Sequence, residues 1–418
     1  MQPSRTLLKL QTIALIVWIM GRSLLIAGPI GLSPAGDQTA ADLSLSTTVA
    51  FIIDHNRMIV EVEFARPDGT IRKARAWVDT GSQFLTLSEP LARDLGFDVS
   101  GLKEGKQSVE LNASAPPMRL GKLPLRVDDG VRLNARSVAL VWPGIPAEAT
   151  IPASILRHYD VVFDYPARLL TIARSGVLKP RGAGIKCLVN SETGLFMIAA
   201  VVDGDTVQFG VDNGSAGTWI SNTLTTRWSE RHPDWPRKTG AVGSTNFFGL
   251  PFETGGILMQ LPEIRIAELT VRNSAVLGLD QSLFDWYSQK SAGKVLGFIG
   301  ANVLKNFRLE IDFPNRMTYW EKGPVTEPND LDIIGLTLRP EADGNFTVAG
   351  VVKTGGQPAV EGIQPGDKLI RVGEMDIPNA TMDAVVNALR GEPGATRNIV
   401  VERDGKRLTV KAKVQRLP

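Results

Sequence analysis

The sequence predicts a mainly β protein built by internal duplication, followed by a small domain of mixed strand and helix. Three observations predict it. The apolar strand Arg75-Ala76-Trp77-Val78 runs into Asp79-Thr80-Gly81-Ser82, and Val207-Gln208-Phe209-Gly210-Val211 runs into Asp212-Asn213-Gly214-Ser215. A second matched block follows each turn in the same order. Finally, residues 331–418 carry their own turn and strand pattern beyond a Gly/Pro-containing stretch.

In the first half, residues 49–53 and 58–64 read as strands. Arg66-Pro67-Asp68-Gly69 reads as a turn, with proline presetting φ and glycine accepting φ > 0. The chain returns through Ile71 to Asp79 and resumes a strand at Leu85-Thr86-Leu87. Ser88 then caps a short helix over 89–95, closed by Gly96. In the second half, 195–202 is a strand, Asp203-Gly204 a turn and 207–211 the strand delivering Asp212, with Ser221 as the matching cap. Aligning the acids (212 − 79 = 133) pairs Gly81 with Gly214, Ser82 with Ser215 and Ser88 with Ser221 without a gap.

Further along, Ile151-Pro152-Ala153-Ser154-Ile155-Leu156 faces Ile299-Gly300-Ala301-Asn302-Val303-Leu304. Phe163-Asp164-Tyr165-Pro166-Ala167-Arg168 faces Ile311-Asp312-Phe313-Pro314-Asn315-Arg316, at an offset of 301 − 153 = 148. Two unrelated β-rich domains would not repeat two blocks in one order.

The bulk numbers exclude several functions. Net charge is +2, from 46 basic and 44 acidic residues, without a basic tract, so nucleic acid is not an expected partner. One cysteine, Cys187, precludes an intramolecular disulfide or a multi-thiolate zinc site. The three histidines, His55, His158 and His232, show no metal-ligand spacing, so neither a metal nor another cofactor is expected.

At the N-terminus, Arg5 and Lys9 precede the apolar run 12–20, and Leu24-Leu25-Ile26-Ala27 follows Arg22. A positive start and a short apolar run fit a secretory signal peptide. A spanning helix needs ~20 apolar residues and would have to include Arg22 and Ser23. Residues 1–41 are therefore read as a signal peptide, or an uncleaved membrane anchor through 12–27, with a linker. Export is the expectation. A buried N-terminal helix is the third reading.

Two carboxylates held close share one proton, so one serves as a general base for water and the other as a general acid toward a carbonyl oxygen. Gly81 and Gly214 let backbone approach the acids. Asp79-Thr80-Gly81-Ser82 after an apolar strand resembles the active-site motif of retropepsin-like and pepsin-like aspartic proteases. The blocks around Ala153 and Ala301, ending in Asp-aromatic-Pro-x-Arg, resemble the closing segment of bacterial retropepsin-like domains. The resemblance implies a bilobal fold of duplicated β-barrel-like lobes, 48–175 and 190–321. It further implies a cleft between them, an extended peptide or unfolded protein as substrate, and Asp79 and Asp212 as the catalytic pair. Thr80, Gly81, Ser82, Asn213, Gly214 and Ser215 would support that pair. Localisation would be periplasmic, or anchored in the inner membrane and facing the periplasm.

The sequence departs from that family at three places. Asn213 stands where Thr or Ser usually braces the two loops. The flap candidates, near 109–118 and 241–252, contain no tyrosine, and only Phe247 and Phe248 mark the tip of the second. Pro152 replaces the glycine found at Gly300. These departures favour a rival reading, a catalytically inactive pseudoprotease that binds extended peptides as a scaffold. Asp-Thr-Gly and Asp-Asn-Gly are also plain hairpin turns, and Asp164 and Asp312 read as turn formers. Gly214-Ser215-Ala216-Gly217 lacks the leading glycine and the base partner of a serine nucleophile elbow. Pairing of lobes between chains is unnecessary, since both are present in one chain.

Residues 331–418 resemble a bacterial-type PDZ domain, small and α+β. Gly335-Leu336-Thr337-Leu338 matches the loop whose amides receive a peptide carboxylate, and Gln364-Pro365-Gly366-Asp367 matches the usual turn. The resemblance implies a C-terminal peptide as ligand, added as a strand to an exposed edge. A structural cap with a closed groove is the alternative.

Overall fold

Each half of the chain is built around a strand that ends at its acid. In the first, Ile71–Asp79 pairs antiparallel with Arg57–Ala65 and parallel with Ala149–Pro152, which sets Pro152 beside Asp79. In the second, Asp205–Val211 pairs antiparallel with Phe196–Val202 and parallel with Gly297–Ile299, setting Val211 beside Ile299. The strand after each acid loop repeats the match. Phe84–Ser88 lies parallel to Arg132–Arg136, and Thr218–Ser221 parallel to Leu269–Leu279. The following helices are capped alike: Ser88 Oγ accepts from Leu91 N–H at 3.3 Å, and Ser221 Oγ from Thr223 N–H at 3.2 Å.

This computed structural model describes residues 44–418 apart from 103–107, 129–130, 137–145, 241–254, 290, 292, 325–330 and 342. The N-terminal segment, the second flap candidate with its two phenylalanines, and part of the second linker lie outside the described residues. Among the described residues, no helix is long and apolar enough to cross a membrane.

The closing blocks join the halves. Tyr159–Asp164 and Phe307–Asp312 pair antiparallel, Val162 opposite Glu310, inside a six-stranded sheet to which both halves contribute. Their hairpin turns match residue for residue. Asp164 Oδ1 accepts from Ala167 N–H and Asp312 Oδ1 from Asn315 N–H, each at 3.0 Å, while Arg168 and Arg316 sit at φ 58° and 55°. These acids shape turns. One hydrophobic cluster runs through both halves, from Phe64 and Leu87 to Val211, Ile299 and Leu309.

The tail has its own sheet, with Leu336–Pro340 and Phe346–Val351 at one side and Thr396–Arg403 paired to Lys406–Lys413 at the other. Thr381 caps the helix Met382–Leu389, its hydroxyl accepting from Ala384 N–H at 3.2 Å. The tail's core, with Phe346, Val385 and Ile399, also takes in Leu258 and Ala275 from the second half. Lys353–Thr354 pairs with Arg237–Thr239, so a ten-stranded sheet runs from the second half into the tail.

One expectation needs correction. Residues 109–118 do not form a hairpin flap. Ser108–Leu111 pairs with Arg132–Arg136, whereas Met118–Leu120 pairs with Leu123–Leu125 across Gly121. Pro116 and Pro117 lie between them, and neither can donate to a ladder.

Candidate active site

The two acids come from different halves, and the fold brings them side by side. Their side chains lie within hydrogen-bonding reach of each other, and both residues keep partial solvent exposure. Each acid is held by its own turn: Gly81 N–H donates to Asp79 Oδ1 and Gly214 N–H to Asp212 Oδ1, both at 2.9 Å. The backbone N–H groups of Ser82 and Ser215 also face the carboxylates. Their hydroxyls bond elsewhere. Ser215 Oγ donates to Gly217 O at 2.6 Å, and Ser82 Oγ accepts from Phe84 N–H at 3.3 Å, each within its own loop.

The glycines are required by the acid opposite. A methyl group on Gly81 would lie 2.7 Å from the Asp212 carboxyl carbon, and one on Gly214 would lie 2.2 Å from Asp79 Oδ1. No side chain fits there without driving the acids apart.

Thr80 and Asn213 cross-brace the loops. Thr80 N–H donates to Asn213 Oδ1 (2.8 Å), Asn213 N–H donates to Thr80 Oγ1 (3.0 Å), and Thr80 Oγ1 donates to Val211 O (2.9 Å). The brace is unequal, because Asn213 engages through Oδ1 alone. Its Nδ2 is buried without a hydrogen-bond partner among the described residues, facing the buried Tyr165 hydroxyl. The closing blocks support both loops from behind: Ala153 N–H donates to Ser82 O (2.9 Å) and Ala301 N–H to Ser215 O (2.8 Å). At Gly300 a methyl group would lie 2.0 Å from Gly217 O, whereas its counterpart Pro152 sits unstrained at φ −82°, ψ 165°.

Burial dominates the electrostatics and pushes both carboxyls up. Asp79 rises to about 6, opposed by the Gly81 N–H, by Asp212 and Ser82, and by the charge of Arg57. Asp212 rises well above the ordinary range, through burial first and the Asp79 charge second. Two raised carboxyls in reach of each other favour sharing one proton between them.

Three neighbours carry no local sequence signal. Tyr287, on the helix Gln281–Gln289, donates from its hydroxyl to Gly81 O at 3.3 Å, and its ring packs edge-on to Phe298 at 4.8 Å. Burial and then the charges of Asp212 and Asp79 hold that phenol far above its usual range, so it stays a neutral donor. Buried Asn56 donates from Nδ2 to Ala216 O at 3.0 Å, and buried Arg57 lies over the Trp77 ring at 5.4 Å. Of the histidines, His55 lies beside Arg57 with their Nδ1 and Nη1 2.8 Å apart, whereas His158 is 2.9 Å from Asp128 and His232 is 2.8 Å from Asp203; Cys187 is buried. Among the described residues, no group of three or more His, Cys, Asp or Glu could hold a metal ion.

In the tail, Leu336, Thr337 and Leu338 lie in the strand Leu336–Pro340, with Gly335 just before it. Leu336 N–H donates to Ile334 O at 2.8 Å, and Gly335 O accepts from Val352 N–H at 2.9 Å. Asp367 is buried against Arg403, with Nε–Oδ1 at 2.7 Å. Residues 325–401 match the family model of the PDZ domain. The tail is a PDZ domain. Among solved structures, an aspartic proteinase from Irpex lacteus aligns with a TM-score of 0.38 and 13% identity, over 68% of this chain and 99% of that one. No curated protein matches the sequence. A PDZ domain binds peptides in general, and here it continues the sheet that builds the second acid's half.

Proposed function

We propose that the chain is an exported aspartic endopeptidase whose PDZ domain binds a peptide or protein C-terminus. The single observation that carries this reading is the acid pair, two buried carboxyls in hydrogen-bonding reach, each cradled by a glycine turn. A water between the acids would give a proton to ionised Asp79 as its oxygen attacks the peptide carbonyl. Asp212 would donate its proton to the carbonyl oxygen; Asp79 would then pass its proton to the departing amine as the C–N bond breaks, while Asp212 regains a proton from a hydroxyl of the tetrahedral intermediate. Thr80, Gly81, Ser82, Asn213, Gly214 and Ser215 would hold the pair, the serines through backbone N–H. Residues 48–175 and 190–321 would be the two lobes and 331–418 the PDZ domain, with 1–41 as signal peptide or anchor.

The pseudoprotease scaffold is the second reading, and the observation that favours it is the orphaned Nδ2 of Asn213. Incubating the full chain with a mixed peptide library from pH 4 to 8 separates the two. Cleaved products support the endopeptidase. Peptides retained intact on the protein, with no products at any pH, support the scaffold.

A further inference from the structure

A turn at positions 54–57 connects the acid pair to the PDZ helix. The strands Ile52–Asp54 and Arg57–Ala65 are joined by His55 and Asn56, at φ 45° and 64°. Left-handed backbone suits a tight hairpin, and asparagine tolerates it better than most residues. Its location is unusual, because hairpin tips ordinarily face water. Here His55, Asn56 and Arg57 are 1%, 4% and 0% exposed.

Successive residues of this turn bond to the PDZ helix on one side and to the second acid's half on the other. On one side, His55 N–H donates to Asp383 Oδ1 at 3.2 Å, and Asp383 N–H donates to Asp54 Oδ1 at 3.3 Å. Asp383 lies in the first turn of the PDZ helix Met382–Leu389. On the other side, Asn56 donates to Ala216 O at 3.0 Å and accepts from Lys305 Nζ at 3.4 Å. Ala216 follows Ser215, whose N–H faces the Asp212 carboxyl. Arg57 completes the set, its charge favouring the ionised form of Asp79. Burial, with the charge of Asp383 next, pushes the Asp54 carboxyl up to about 6, opposed by Arg57 and Thr381.

We infer that Asn56 is a positioning residue for the 212–217 loop and that the 54–57 turn couples the PDZ helix to the acid pair. A peptide that shifts the helix on binding would alter hydrolysis through this turn. The inference rests on the endopeptidase reading for its consequence. The coupling itself is a linkage between two sites, measurable in either direction.

The experiment uses the full chain with four variants. Asn56→Gly keeps the left-handed backbone and removes both side-chain bonds. Asp383→Ala removes the acceptor of His55 N–H, Asp383→Asn restores an acceptor of the same shape, and the fourth variant combines Asn56→Gly with Asp383→Ala. One readout needs no turnover: a carbon-13 titration of the Asp79 and Asp212 carboxyls. The other is kcat and KM on a peptide cleaved from the library. Asn56→Gly and Asp383→Ala are each expected to move the titration midpoint and lower kcat by roughly 2- to 30-fold, with KM little changed. Asp383→Asn is expected to restore both readouts. The combined variant is expected to lose less than the product of the single losses. An Asp383→Ala protein with wild-type titration and kcat, or a strictly multiplicative double variant, overturns the inference. A moving titration in a wild type that cleaves nothing keeps the coupling and sinks the endopeptidase reading instead.

Discussion

The two acid loops share a plan and differ in who holds them. The Asp79 loop is braced from the second half, by Asn213 Oδ1 and the Tyr287 hydroxyl. The Asp212 loop is braced from the first, by Thr80 Oγ1 and Asn56 Nδ2. Each turn glycine also makes room for the opposite acid. Duplication has produced a site in which neither half holds its own acid unaided. The charges are unequal as well. Arg57 favours the ionised form at Asp79, whereas burial first and its neighbour's negative charge second push Asp212 up. Near-identical loops thus place their acids in unequal electrostatic surroundings, the asymmetry that the proposed general base and general acid would use.

Filling a turn glycine should break that comparison most severely. Gly214→Ala would set a methyl group against Asp79 Oδ1 and push the acids apart. Because a displacement of about 1 Å costs on the order of 100-fold in rate, hydrolysis should fall at least that far, with a lower Tm from overpacking. A crystal structure of the variant would show the widened pair.

Next in size is a stability effect tied to pH. The folded protein holds the Asp79 proton more tightly than the unfolded chain, since its carboxyl is raised from 3.8 to about 6. The contribution of that tight proton is fully present below the ordinary carboxylate pKa and is lost as pH rises through about 6. Asp79→Asn removes the buried charge, so at pH 7 it should be the more stable protein by about 1–3 kcal/mol. The gain should vanish near pH 4. Thermal unfolding at both pH values checks the sign, and a variant less stable than wild type at pH 7 contradicts it.

Tyr287→Phe keeps the ring packing and deletes the hydroxyl bond to Gly81 O. Rate should fall by about tenfold while stability changes by no more than about 1 kcal/mol. An equal loss of both would mean that the tyrosine acts through packing alone. The smallest effect is expected for Asn213→Thr, which would make the brace symmetric and remove the orphaned Nδ2. Stability should rise by about 1 kcal/mol, with activity kept or improved.

Legibility follows the range of each interaction. The acid turns, the Ser88 and Ser221 caps and the paired turns ending at Arg168 and Arg316 were readable because each is settled within a few residues. Pro152 read as a defect in the repeat. It is accommodated because the first half lacks the close backbone approach present at Gly300. Tyr287 lies 206 positions from Gly81 and Asn56 lies 160 from Ala216. Such pairs depend on tertiary register, to which no local pattern points. Which atom of each serine supports the pair was likewise not legible: the hydroxyls bond within their own loops, and the backbone N–H groups face the acids. The 109–118 flap failed on Pro116 and Pro117, which were visible in the sequence.

Asp212 is the less expected half of the pair, carrying Asn213 beside it where the first loop has Thr80, so the most direct test falls there. The measurement is the cleavage rate of a library-derived peptide by Asp212→Asn beside wild type at pH 6, with Tm confirming that both are folded. A loss of roughly 10²–10⁴-fold is expected, the share of a positioned general acid. A rate within a few-fold of wild type would contradict a two-acid site.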